Sequence, residues 1–162
     1  MNLQSGDIVA VQANWLERLA GARYGHIGIV WQHNGQWFTI EAGPLGVRAW
    51  VYGHWPRPWF VLRPIHATRE QRERAVDAAL AYLGQPYGWP AFFAIAWRVL
   101  SQRRRVSLAR VQQVVCTELV VEVYRLQGVD LCPGERADRV TPDMVSVSEE
   151  LELVAAHEQH RR

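Results

Sequence analysis

The chain of 162 residues is long enough for one domain with a buried core, since single domains commonly contain about 100–150 residues. Hydrophobic residues make up 49% of the sequence and charged residues 21%, a globular balance that excludes a disordered chain. The net charge of +2 is too small to indicate nucleic-acid binding, and the absence of lysine excludes Schiff-base and P-loop lysine chemistry.

Short apolar or alternating runs separated by turn residues predict β-strands in the first half of the sequence. The predicted strands are Ile8–Val11, His26–His33, Gln36–Ala42, Gly46–Tyr52 and Trp59–Arg63. Residues 14–22 are predicted to form a helical turn or a loop. Asn34-Gly35 is the strongest short hairpin signal, because both positions of a type I′ turn require a positive φ. The second and third strands are therefore predicted to form a hairpin with a two-residue turn.

Helical patterns dominate the second half of the sequence. Thr68 followed by Gln71 is a capping box, and the apolar stripe behind it predicts a helix that Gly84 ends. Two further helices are predicted at Ala91–Ser101 and Thr117–Gln127, a short segment from Pro142, and a last strand at Leu151–Val154. Strands followed by helices in blocks indicate an α+β fold.

The predicted hairpin brings a histidine and a carboxylate together. If His33 pairs with Gln36, Gly28 lies opposite Glu41, and His26 is diagonal to Glu41 on the same face. The other face is apolar: Ile27, Ile29, Trp31, Phe38, Ile40 and Ala42. A carboxylate that orients an imidazole is the arrangement of a catalytic base. The alternative is a solvated His–Glu pair on the surface of a sheet.

Cys116 directly precedes the apolar run of the third predicted helix. A helix N-terminus stabilises a thiolate, and its free N–H groups can bind the oxyanion of a tetrahedral intermediate. The alternative is a buried and inert cysteine. Cys132 lies in a predicted turn and is interpreted as structural, without a disulfide to Cys116. The spacing of Cys and His residues does not match a zinc site, so we expect no metal.

Several segments, in their order and spacing, resemble the permuted NlpC-type papain-fold amidases of the YiiX/YaeF-like group, which is related to the lecithin:retinol acyltransferase-like proteins. The segments that carry the resemblance are Gly6-Asp7-Ile8-Val9, His26-Ile27-Gly28-Ile29-Val30, Ile40-Glu41-Ala42, Gly84-Gln85-Pro86-Tyr87 and Cys116-Thr117-Glu118-Leu119. The histidine and the acid precede the cysteine, as they do in the permuted group.

The resemblance implies a single circularly permuted papain-like domain over residues 1–162, with a helical insertion at about 88–113. An antiparallel sheet or small barrel would pack against helices, with the catalytic cysteine at a helix N-terminus. Carried over to this sequence, Cys116 is the nucleophile, His26 the base and Glu41 the orienting residue. Tyr87 is assigned to the oxyanion site or to the substrate wall. No metal or organic cofactor is implied.

The function expected from the resemblance is a cysteine hydrolase that cleaves an amide bond in a bacterial cell-wall peptide. One alternative is an acyltransferase or lipid hydrolase, because the apolar run 91–100 could lie at a membrane interface. A buried core helix is the expected interpretation of that run, so a membrane surface is not the expected partner. Another alternative is a papain-fold binding module without turnover. The expected partner is a peptide or acylated small molecule and not nucleic acid, since Arg103-Arg104-Arg105 is interpreted as a solvated helix end.

The N-terminal residues lack the basic and apolar regions of a secretory signal peptide, and no apolar run reaches the roughly 18 residues of a transmembrane helix. We therefore expect a cytoplasmic protein. A cell-wall enzyme of this kind would need a different exit, such as phage lysis or a dedicated secretion machine.

Overall fold

The computed structural model describes residues 2–19, 21–43, 46–84 and 108–157, and it gives only the backbone for residues 108–115. These residues form an α+β architecture with six strands and four α-helices. The strands are β1 (Ile8–Gln12), β2 (Tyr24–His33), β3 (Gln36–Gly43), β4 (Gly46–Val51), β5 (Trp59–Pro64) and β6 (Leu151–His157). The helices are α1 (Trp15–Leu19), α2 (Arg69–Leu80), α3 (Leu108–Arg125) and α4 (Pro142–Ser146), with a 3-10 turn at Ala137–Arg139.

The six strands form one open antiparallel sheet with the order β4-β3-β2-β1-β5-β6. Strands β4 and β6 lie at its two edges, so the sheet form is present and the predicted alternative of a small closed barrel is not. Because β2 lies near the middle of the sheet, its residues are held by hydrogen bonds from both β1 and β3. The sheet therefore provides a rigid support for the histidine predicted on β2.

The hairpin between β2 and β3 confirms the predicted turn and register. Asn34 has a φ of 49° and Gly35 a φ of 78°, as a type I′ turn requires. His33 pairs with Gln36, and the ladder continues through successive pairs to Ile29 and Ile40. Residues on each strand therefore alternate between the two faces as the sequence predicts.

The two faces of the sheet are buried in different ways. One face packs against helices α2 and α3 in the main core, which includes Ile8, Ile27, Ile29, Ile40 and Cys116. The other face carries a smaller cluster, made of Val9, Val11, Val30, Trp55, Trp59 and Val61. This second cluster covers the central strands only in part, and the polar residues of β2 and β3 lie beside it.

Helix α2 begins as predicted, with the reciprocal hydrogen bonds of a capping box between Thr68 and Gln71.

Helix α3 does not begin where the sequence predicts. It begins at Leu108, and Cys116 is the ninth of its 18 residues. The predicted helix start at Thr117, with the cysteine at the N-terminus, is therefore wrong. The segment 108–115 contains no Gly or Pro and is rich in helix-forming residues, so nothing in it stops the helix before Cys116.

Several sequence predictions lie outside the described residues. These are Tyr87, the predicted helix Ala91–Ser101 and the run Arg103-Arg104-Arg105. Of the predicted insertion at about 88–113, only residues 108–113 are described, and they belong to the same helix as Cys116. Within the described ranges, no helix combines the length and the apolar character that crossing a bilayer requires.

Candidate active site

His26 and Glu41 form the centre of the site. His26 Nε2 lies 2.7 Å from Glu41 Oε2, and the two side chains are only 12% and 7% exposed. The second carboxylate oxygen of Glu41 accepts a hydrogen bond of 2.8 Å from the Thr39 hydroxyl. With one oxygen bound on each side, the carboxylate has a fixed orientation and can hold the imidazole in one position.

Gly28 makes room for this pair. A Cβ atom at position 28 would lie 2.7 Å from Glu41 Cγ and 3.0 Å from the carbonyl oxygen of Ile40. The first contact would force the Glu41 side chain to shift, and the second would require the backbone at Ile40 to give by a few tenths of an ångström. The absence of a side chain at residue 28 therefore leaves the Glu41 side chain room to pass over β2 toward His26.

Cys116 interacts with His26. Burial by itself lowers the pKa of His26, but the negative charge and hydrogen bonding of Cys116, with those of Glu41, outweigh this effect and raise the pKa from 6.5 to about 10. Nδ1, the ring nitrogen not bound to Glu41, is buried and has no hydrogen-bond partner in the described part of the chain. The interactions with Cys116 and Glu41 therefore favour the protonated form of the His26 imidazole.

The position of Cys116 within α3 corrects the predicted source of its activation. The first four N–H groups of a helix are free, but the ninth residue donates to the carbonyl four residues earlier. Cys116 therefore has no unpaired helix amides beside it, and the predicted oxyanion site at the helix N-terminus is wrong. The cationic group that interacts with Cys116 is His26. Tyr87, the other predicted oxyanion residue, lies outside the described residues.

A second histidine, which the sequence did not indicate, also faces Glu41. His54 Nε2 is 3.8 Å from Glu41 Oε2, and the ring of His54 stacks on Trp50 with centroids 5.4 Å apart. His54 follows β4 in a loop, where no periodic pattern marks it. Thr39 was detectable in principle, since it lies two residues before Glu41 on the same strand face.

An open cavity of about 280 Å³ lies beside the pair. Its polar and aromatic lining includes Glu17, His26, Glu41, Arg48, Trp50, His54 and Arg57. A substrate in this cavity would contact the imidazole and the carboxylate, and it would have both cationic and aromatic groups within reach. The cavity is small, and its lining combines polar and apolar surface.

Cys132 has a different environment from Cys116. Both cysteines are buried, and neither is in a disulfide. Burial, together with the nearby carboxylate of Asp130, raises the pKa of Cys132 from 9.0 to about 11. The Cys132 thiol is therefore protonated at neutral pH, in agreement with its interpretation as structural.

The described residues do not provide a metal site. None of their His, Cys, Asp and Glu side chains gather in groups of three or more that could hold a metal ion.

No protein-family model matches the sequence, and no curated protein matches it. Among solved structures, the crystal structure of the metalloprotein yiiX from Escherichia coli O157:H7 is similar, with a TM-score of 0.68. The similarity covers 98% of this chain and 100% of that chain, at 20% sequence identity. At this level of identity the comparison shows that the two proteins share a fold, over the whole length of both chains.

Proposed function

We propose that this protein is a cysteine hydrolase with a circularly permuted papain-like (NlpC-type) fold, which cleaves an amide bond in a bacterial cell-wall peptide. The proposal is supported by the 2.7 Å contact of His26 Nε2 with the Glu41 carboxylate and by the interaction of the same imidazole with Cys116. A nucleophile, a base and an orienting group in this order are the requirement for covalent acyl transfer. The substrate class rests on the resemblance of the sequence segments to cell-wall amidases.

In the proposed reaction, the proton of the Cys116 thiol already resides on His26 before the substrate reacts, and the thiolate attacks the substrate carbonyl. The tetrahedral intermediate collapses when the His26 imidazolium gives its proton to the leaving amine, which breaks the C–N bond and leaves a thioester on Cys116. A water molecule, deprotonated by His26, then attacks the thioester. The products are a carboxylic acid and the free thiol.

Glu41 acts through His26 in this scheme. Its carboxylate stabilises the imidazolium that forms in each half of the reaction and keeps Nδ1 directed away from the Glu41 side. Tyr87 is proposed, on the resemblance alone, as an oxyanion or substrate-wall residue. Since the Cys116 side chain is fully buried, substrate binding must expose the sulfur before attack. The metal named for yiiX is not carried over, because the described residues lack a ligand cluster.

Mass spectrometry of Cys116 tests the proposal directly. The protein is incubated separately with a peptidoglycan digest and with lipid mixtures, quenched with acid, and digested for peptide mapping. We expect a muropeptide acyl adduct on the Cys116 peptide and none on the Cys132 peptide. Cys132→Ala is the matched control, and it should form the same adduct at the same rate.

The mass of the adduct distinguishes the alternatives. A fatty-acyl adduct would replace the cell-wall amidase with an acyltransferase or lipid hydrolase of the same fold. Turnover that persists in Cys116→Ala would overturn covalent catalysis altogether. Binding of a muropeptide without an adduct or release of product would identify a papain-fold binding module.

A further inference from the structure

Helix α1 exposes an unusual amount of apolar surface. Trp15, Leu16 and Leu19 are 70%, 55% and 78% exposed, although the helix has only five residues. Single exposed apolar residues are common on protein surfaces, but a contiguous group that includes a tryptophan marks an interaction site. We call the surface formed by these three residues, together with Arg18 and Arg23, the α1 surface.

The exposure does not come from a loosely attached helix. The backbone N–H of Asn14 donates to Glu17 Oε2 at 2.6 Å, and the backbone N–H of Glu17 donates to Asn14 Oδ1 at 2.9 Å. Glu17 is buried, and Arg57 Nη1 lies 3.3 Å from its Oε2. The polar side of α1 is thus anchored, and the helix holds its apolar side chains toward solvent in a fixed direction.

Basic residues border the apolar side chains. Arg18 and Arg23 are both exposed, and they line an open recess of about 480 Å³. A neighbouring recess of about 410 Å³ is lined by Trp15, Arg18 and Arg57. These recesses combine guanidinium groups with apolar walls.

The carboxylates near this surface already have ion-pair or hydrogen-bond partners. Glu17 is buried and paired with Arg57. Asp143, which lies beside the recess, accepts the backbone N–H groups of Arg23 and Tyr24 at 3.0 and 2.9 Å. The side chains of Arg18 and Arg23 make no ion pair with the described residues, and Arg18 has only a long contact of 3.5 Å to the Gln12 amide oxygen. The α1 surface is therefore apolar and cationic.

We propose that the α1 surface docks on an anionic lipid bilayer. Trp15, Leu16 and Leu19 would enter the interface, where tryptophan is favoured, and Arg18 and Arg23 would bind lipid phosphates. A second copy of this chain is the less suitable occupant, because two copies of the same surface would bring four arginines of like charge together. Glu17 lines the cavity beside His26 from the buried side of α1, so docking would hold that cavity close to the membrane.

Flotation of the full chain with vesicles tests the proposal, and it does not depend on catalysis. We expect the protein to float with vesicles of phosphatidylcholine and phosphatidylglycerol and to remain unbound with phosphatidylcholine alone. The double variant Trp15→Gln/Leu19→Gln should weaken partitioning at least tenfold. Its matched control is Leu126→Gln/Leu153→Gln, which removes two exposed leucines elsewhere and should bind normally.

The charge requirement has its own pair of variants. Arg18→Gln/Arg23→Gln should lower binding at least fivefold and reduce its salt dependence, whereas Arg69→Gln/Arg74→Gln, which removes two exposed arginines of α2, should do neither. Brominated lipids should quench part of the tryptophan fluorescence in the native protein. The Trp15→Phe variant should still bind the vesicles, but its remaining tryptophan fluorescence should not be quenched.

Three results would overturn the proposal: no flotation with anionic vesicles, equal flotation of Trp15→Gln/Leu19→Gln and the native protein, or a dimer in solution that the same double variant converts to monomer. The last result would assign the α1 surface to self-association. Circular dichroism of each variant confirms that it is folded, which is expected because the substituted side chains are exposed.

Discussion

The reactivity proposed for the Cys116 thiol rests on its interaction with one side chain, His26. The middle of a helix offers a cysteine no free amides and little of the positive end of the dipole. His26 supplies the positive charge instead, and Glu41 keeps His26 in place. At Cys132, burial and the nearby carboxylate of Asp130 outweigh the opposing charge of Arg125 and raise the pKa of the thiol to about 11. Two buried cysteines of one chain thus differ in the charge that faces them.

Alkylation with iodoacetamide at pH 7 should label Cys116 well before Cys132. Both side chains are buried, so exposure does not distinguish them, whereas iodoacetamide reacts with the thiolate and only Cys116 lies beside an imidazolium. Peptide mapping over time gives the two rates. In His26→Ala the rate at Cys116 should fall toward that of Cys132. Equal rates in the native protein would contradict the assignment of Cys116 as nucleophile.

The His26 ring should remain protonated at pH 8. Its pKa of about 10 lies above the ordinary value of 6.5, so raising the pH from 6 to 8 should not remove the proton. NMR of ring-labelled histidine measures this directly. In Cys116→Ala the pKa should fall, because the Cys116 charge and hydrogen bond are the largest influences that raise it. The exposed His33 on the same strand provides the internal control. An unchanged His26 titration in Cys116→Ala would disprove the coupling.

The three candidate catalytic residues should differ in how much activity their removal costs. Cys116→Ala and His26→Ala should reduce turnover to background, since a base contributes about 10²–10⁴-fold and a nucleophile at least as much. Glu41→Gln should retain partial activity, because the amide can still orient the imidazole but carries no charge. Steady-state hydrolysis of the substrate identified by the adduct gives the rates. His33→Ala is the control, and full activity in His26→Ala would exclude the proposed base.

Among the elements, the β2–β3 hairpin was the most predictable, and the reason is local. Asn34-Gly35 fixes a turn type, the turn fixes the register, and the register determines which side chains share a face. The proximity of His26 to Glu41 follows from these steps without information from elsewhere in the chain. The strand β1 and the capping box at Thr68 were predictable for the same reason.

The start of α3 was not predictable from the same kind of pattern. The apolar run after Cys116 is conspicuous, but the preceding segment 108–115 contains equally good helix formers and no capping residue at Val115. A helix boundary requires a signal that stops the helix, and none is present there. His54 was missed for a related reason, since a loop residue reaches Glu41 only through the tertiary path of the chain.

Substitution of Gly28 should disturb the site through β2 itself. Gly28→Ala places a Cβ 2.7 Å from Glu41 Cγ, and relief of that contact must move either the carboxylate or the strand. We expect a loss of about 1–3 kcal/mol in unfolding free energy and a fall in turnover. Urea denaturation and hydrolysis rates measure the two effects. Gly43→Ala is the matched control, since a Cβ there meets nothing within 4 Å, and an equal loss in both variants would refute this explanation.

Across the whole molecule, the turn before β1 connects the sheet to the helix that carries Cys116. The Tyr124 hydroxyl on α3 donates to the Gly6 carbonyl, and burial together with the charge of Asp7 raises the pKa of Tyr124, which keeps the donor protonated. Asp7 is fully buried and binds Arg63 of β5 through both of its oxygens, at 2.7 and 2.8 Å. These contacts join residues far apart in sequence, so the position of α3 relative to β2 depends on them.

Asp7→Asn should therefore destabilise the fold far more than a comparable change at the surface. Asp7 is fully buried but Arg63 is 14% exposed, so loss of the Asp7 charge should cost about 1–3 kcal/mol, the range for leaving a buried charged hydrogen bond unmade. Asp130→Asn removes a partner of Arg125 from a more exposed pair and should cost less than about 1 kcal/mol. Urea unfolding followed by circular dichroism compares the two variants at the same pH. Asp7 also holds the turn whose Gly6 carbonyl accepts the Tyr124 hydroxyl, so Asp7→Asn should let α3 shift away from His26. Alkylation of Cys116 should therefore be slower in Asp7→Asn, at urea concentrations well below the unfolding transition. A loss of stability no greater than that of Asp130→Asn would mean that the position of α3 is set by apolar packing against β2 and β3 and not by this buried pair.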